Sequence, residues 1–111
     1  VSRIAERSDI FTLIITLEVQ PENCDALVDA VSRNVRDFMC HQPGFISTNL
    51  HRNADSTRVV NYAQWRSREL YEQARAREGF VELSERVNDL ADGVDPIACE
   101  VVFTEERPAE R

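Results

Sequence analysis

In the stretch Arg58-Val59-Val60-Asn61-Tyr62-Ala63-Gln64-Trp65, an asparagine stands four residues before the chain's single tryptophan. Side chains of a strand alternate between faces, so Val59, Asn61, Ala63 and Trp65 share one side, while Val60, Tyr62 and Gln64 share the other. Asn61 and Trp65 therefore look into the same space. An amide beside a large flat ring, with apolar groups around them, can orient a planar molecule with polar edges, because a few polar groups in an apolar pocket fix pose. The same pattern also fits an ordinary core, in which Trp65 fills volume and Asn61 bonds a neighbouring loop.

Other candidate groups are sparse. His41 falls in a turn and His51 near a strand end, positions that suit solvated surface better than general-base work. Cys24, Cys40 and Cys99 are odd in number, far apart and free of any CxxC pair, which argues against a zinc site or a disulfide framework. All three read as buried, small and hydrophobic. No two His, Asp or Glu side chains form a recognisable ligand pattern. Thirteen basic against twenty acidic side chains give a net charge of -7, with the arginines scattered. This disfavours nucleic acid and anionic membranes, both of which need a basic face. The longest apolar run, Leu13-Ile14-Ile15, is too short to span a bilayer, and no signal-like stretch opens the chain; the expectation is a soluble, cytoplasmic protein.

The elements that must position Asn61 and Trp65 follow from periodicity. Residues 1–9 read as a polar, frayed segment, 10–104 as a single domain and 105–111 as a charged tail. Ile10 to Val19 is a strand apolar on both faces, with Thr12, Ile14 and Thr16 opposite Phe11, Leu13, Ile15 and Leu17. Pro21 opens an amphipathic helix reaching Met39, stopped by His41-Gln42-Pro43-Gly44. Phe45 to Arg52 forms a second strand, with Phe45, Ser47, Asn49 and His51 on one face, and pairs through Asn53-Ala54-Asp55-Ser56 with the strand bearing Asn61. Ser67 caps a helix containing Leu70, Tyr71 and Ala74. After a break near Glu78-Gly79, a second helical stripe runs through Phe80, Leu83, Val87 and Leu90. Gly93 to Pro96 reads as a turn, and Ile97 to Thr104 as the last strand.

The order β-α-β-β-α-β predicts an α+β, ferredoxin-like domain with a four-stranded antiparallel sheet whose first and third strands lie at the centre. Helices can cover one face only. The other, still apolar on the first strand, predicts a homodimer packed sheet to sheet, with Tyr62 and Gln64 at the contact.

Gln42-Pro43-Gly44-Phe45, the hairpin through Asp55, and above all Val59-Val60-Asn61-Tyr62-Ala63-Gln64-Trp65 resemble the antibiotic biosynthesis monooxygenase family, in particular the small anthrone oxygenases of aromatic polyketide pathways. The resemblance covers roughly Phe11 to Phe103. It implies a dimeric α+β barrel with one pocket per subunit, and oxidation of an anthrone to a quinone by dioxygen with no metal, flavin or haem. It also implies site residues: Asn61, Trp65 and Tyr71 match a pocket asparagine, tryptophan and tyrosine. A helix arginine of some members falls in a segment, Arg75 to Arg86, that aligns in more than one register, and Arg86 is the counterpart taken here. A first-strand asparagine of some relatives is replaced by Thr16.

Two other functions compete. Haem-degrading relatives need an axial histidine on the second helical region, and Ser67 to Leu90 contains none. A non-catalytic binding or assembly module on the same fold is the alternative from another class, because one fold hosts many functions.

Overall fold

A computed structural model describes residues 10–109; the predicted N-terminal segment 1–9 and the end of the charged tail lie outside the described residues. The apolar opening run forms β1 (Phe11–Val19). Pro21 then occupies the first turn of α1 (Pro21–Asp37), where its missing N–H costs nothing and Glu22 meets the helix dipole. Cys24, Leu27 and Val31 are buried on its inner face. The helix ends earlier than its apolar spacing predicts: Met39–His41 tightens into a 3-10 turn.

β2 (Phe45–Arg52) and β3 (Arg58–Trp65) form the predicted hairpin. Asn53 closes it, its Oδ1 accepting from the backbone N–H groups of Thr57 at 3.0 Å and Arg58 at 2.9 Å. Ser67 caps α2 (Arg68–Arg75), its Oγ accepting from the Leu70 N–H at 3.2 Å. The gap between α2 and α3 (Glu78–Leu90) falls at 76–77, just ahead of the predicted break near Glu78-Gly79, and α3 runs without a loop into β4 (Ala91–Cys99).

The sheet order is β2-β3-β1-β4, all neighbours antiparallel, with β1 and β3 central as expected. Leu13, Leu17, Val59, Ala63 and Trp65 turn one face toward the helices and form the buried core with Leu27, Val31, Met39 and Tyr71.

Three sequence expectations are corrected. The last strand is Ala91–Cys99, and Gly93 to Pro96 is ladder rather than turn: Gly93 lies opposite Glu18 and Pro96 opposite Ile15. β4 is an edge strand, so a residue without an N–H is tolerated there. Residues 101–104 belong to no regular element, and Val102 and Phe103 are 80% and 70% exposed. A register shift between Phe45 and Ser47 places Phe45 opposite Trp65, on the helix-covered face rather than with Ser47. Of the cysteines only Cys24 is buried; Cys40 is exposed in the 3-10 turn and Cys99 is half-buried.

Candidate active site

β3 is hydrogen-bonded on both sides, so its backbone is held and its alternation is strict. Trp65 lies opposite Phe11 of β1 and Phe45 of β2, and is 1% exposed. Phe45 meets it edge-on, ring centroids 5.4 Å apart at 88°. Tyr71, one turn into α2, meets it at 5.6 Å and 64°. Ser67 fixes where that turn starts, and so delivers Tyr71 to the indole.

Asn61 stands two strand repeats away on the same face, between Ile15 and Leu50. Its Oδ1 is buried without a hydrogen-bond partner. A polar atom in that condition costs about 1–3 kcal/mol, which a fold tolerates mainly where something else binds.

Above these residues lies a cavity of about 240 Å³, partly open to solvent. Its floor is the sheet: Leu13, Ile15, Asn61, Ala63 and Trp65, with Thr48 from β2. Val31 and Val35 of α1, Met39 of the 3-10 turn and Tyr71 of α2 form one wall. α3 is the roof, presenting Phe80, Leu83, Ser84, Val87 and Asn88. No lining side chain carries a formal charge. No residue of α3 is fully buried, although Phe80, Leu83, Val87 and Leu90 are half-buried against the core, as expected of a helix that partly roofs a hollow.

Burial raises the Tyr71 phenol above its ordinary value of 10.0; Arg75 opposes the shift and Glu72 adds to it. The group is therefore a neutral donor at physiological pH. Arg75 lies over the Tyr71 ring at 5.8 Å and the Phe80 ring at 5.7 Å, backing two lining rings from outside.

Asn61, Trp65 and Tyr71 are brought together; Thr16 and Arg86 are not. Thr16 sits on the other face of β1, opposite Val60 and Asp95. The alternation that joins Asn61 to Trp65 turns Thr16 away. Arg86 is exposed and absent from the lining, because the inner stripe of α3 passes through 84, 87 and 88. Both histidines are exposed. Ser84 and Asn88 also line the cavity; they fall at helical spacing with Phe80, a signal that counting apolar residues alone passes over. Among the described residues no three His, Cys, Asp or Glu side chains group to hold a metal ion.

An antiparallel sheet, helices on one face, and between them an uncharged cavity with aromatic residues in its lining define a ferredoxin-like α+β domain with an internal pocket. Residues 10–86 match the antibiotic biosynthesis monooxygenase family, and the chain belongs to it. It is 42% identical over 64 residues to the tetracenomycin-F1 monooxygenase of Streptomyces glaucescens, a match spanning 58% of this chain and 57% of that relative. Among solved structures it is similar to a monooxygenase from the gene ActVA-Orf6 of Streptomyces coelicolor in complex with nanaomycin D (29% identity, 89% of this chain and 92% of that one, TM-score 0.78). It also shares its fold with SnoaB, a cofactor-independent oxygenase from Streptomyces nogalater (21% identity, 87% and 97% covered, TM-score 0.78).

Proposed function

We propose that this protein is a cofactor-independent monooxygenase that oxidises an anthrone-type polycyclic aromatic intermediate to the quinone with dioxygen. The observation that carries the reading is the convergence of Asn61, Trp65 and Tyr71 on one uncharged apolar cavity, with a buried amide oxygen left unpartnered. Family membership, a relative named for acting on tetracenomycin F1 and a structural neighbour holding nanaomycin D support it. An apolar cavity of about 150 Å³ takes benzene, and this one is larger and open on one side, leaving room for fused rings.

The substrate would supply the electrons. Loss of one proton from the anthrone methylene gives an aromatic, phenolate-like anion that reduces dioxygen; recombination forms a carbon–oxygen bond. Cleavage of the O–O bond then leaves one oxygen in the new carbonyl and releases the other, with both methylene hydrogens, as water. What the protein must do is bind, stabilise the oxyanion and keep bulk water out. The Asn61 amide and the Tyr71 hydroxyl are donors for the developing charge. Trp65 and Phe80 enclose the ring system. No lining side chain is a ready base, so the first proton passes to a substrate phenolate or to water.

Replacing Asn61 by Ala is expected to lower kcat for anthrone oxidation about a hundredfold, in the range for a lost oxyanion donor. Trp65→Phe should weaken substrate binding. Unchanged turnover in both variants would overturn the assignment, and tight quinone binding without any turnover would leave a binding module.

The same reading includes a homodimer. Ile14, Val60, Tyr62 and Ile97 turn away from the helices, and Ile97 is 49% exposed. A second sheet laid on this face would cover them. Gln64 is no longer needed there: it is buried within the single chain, where its Nε2 donates to Thr12 Oγ1 at 3.2 Å.

A further inference from the structure

α3 shows the cavity a stripe at i, i+3, i+4, i+7 and i+8: Phe80, Leu83, Ser84, Val87 and Asn88. A stripe serving only as core would be apolar throughout. Here Ser84 and Asn88, one turn apart, stack along a single edge of it. Ser84 is half-buried and Asn88 exposed at the cavity's rim, and neither spends its side chain on a hydrogen bond within the described residues, not even the common one from a helical serine back to the preceding turn. The sheet contributes Thr48 and Asn61, with its unpartnered Oδ1, to the same lining. Polar groups thus stand on the roof and the floor of a hollow that is apolar between them.

The chemistry these groups can recognise is narrow. A serine hydroxyl and a carboxamide both donate and accept, so they suit a hydroxyl or a carbonyl. No lining side chain could pair with a carboxylate at this half-open edge, so a charged substituent would give up part of its hydration for no counter-ion, whereas a neutral oxygen exchanges one hydrogen bond for another. We infer that Ser84 and Asn88 form a second polar edge, which positions the guest by hydrogen-bonding a neutral oxygen substituent on the ring margin opposite the one held by Asn61. Through that contact they select polycyclic phenols uncharged at that margin. The inference rests on the proposed oxygenase reading. It also places the enzyme where any ring carboxylate meeting α3 has already been removed or masked by decarboxylation or esterification.

The test compares three anthraquinones by quenching of Trp65, the only tryptophan and itself part of the cavity wall. The probes are emodin, chrysophanol, which lacks one of emodin's ring hydroxyls, and rhein, in which the chrysophanol methyl is replaced by a carboxylate. In the wild type, emodin should bind about five to tenfold more tightly than chrysophanol, the range for one net hydrogen bond, and rhein more weakly than either. In the Ser84→Ala, Asn88→Ala double variant the emodin-to-chrysophanol ratio should approach one, with chrysophanol affinity within twofold of wild type. A folding defect would weaken both ligands and leave their ratio alone. A ratio unchanged by the double substitution, or rhein bound as tightly as emodin, overturns this inference and leaves the oxygenase reading standing. Failure of all three to bind overturns both.

Discussion

An unpartnered amide oxygen in an apolar floor makes Asn61 a residue whose removal should affect stability and activity in opposite directions. Asn61→Leu fills the site with apolar volume and removes the buried orphan, so stability to denaturant is expected to rise by about 1 kcal/mol while anthrone turnover is lost. An equilibrium urea titration beside an activity assay checks the pair. Tyr71 carries a second expectation. Burial raises its phenol above 10.0, so the native state holds its proton more tightly than the unfolded chain. Stability from this source is complete below pH 10 and drains away as pH climbs through and beyond it, because there the unfolded state binds fewer protons. Melting curves from pH 9 upward should fall less steeply in Tyr71→Phe than in the wild type. At this scale the alternation of β3 made the Asn61–Trp65 pair legible from sequence. Thr16 is a candidate only through the resemblance, since the same alternation on β1 turns it away from the cavity, and Arg86, whose helix register cannot be set without a second contact, lies off the lining.

The starts of α1 and α2 and the hairpin are legible directly, since each carries local chemistry: Pro21 at the first turn of α1, the Ser67 cap, and Asn53 closing the β2–β3 loop. What could not be read was decided by neighbours. Gly93 and Pro96 are turn residues by composition but lie in β4, because an edge strand needs only one partner. The shift at Phe45 that brings its ring onto Trp65 has no local marker. Gly44 sits where α1's end turns into β2, with φ at +89° and the space of a Cβ already filled by Leu70 Cδ1 at 2.6 Å. Gly44→Ala should therefore cost about 1–3 kcal/mol by strain and overpacking together. Because Leu70 precedes Tyr71, the same substitution should also weaken quinone binding. A variant as stable as wild type would show that the turn and α2 are not coupled in this way.

For the whole molecule, covering one sheet face with helices leaves the cavity on one side and an apolar margin on the other, and this division was foreseeable from the count of helices alone. In the proposed homodimer Ile97 is interfacial, so Ile97→Glu should give a species of half the mass by light scattering; an unchanged mass places the contact elsewhere. The absence of a charged side chain from the lining could not be foreseen, since it depends on which stripe of α3 turns inward. It bears most on the central claim, that an apolar hollow beside Asn61 and Trp65 lets the substrate's own electrons react with dioxygen. The direct test is oxygen uptake with dithranol as the anthrone, in the presence of EDTA and against the uncatalysed background. On that claim, uptake should run well above background, with one dioxygen consumed per quinone formed and no effect of the chelator. Uptake no faster than background, or abolished by EDTA and restored by a divalent metal, would contradict it.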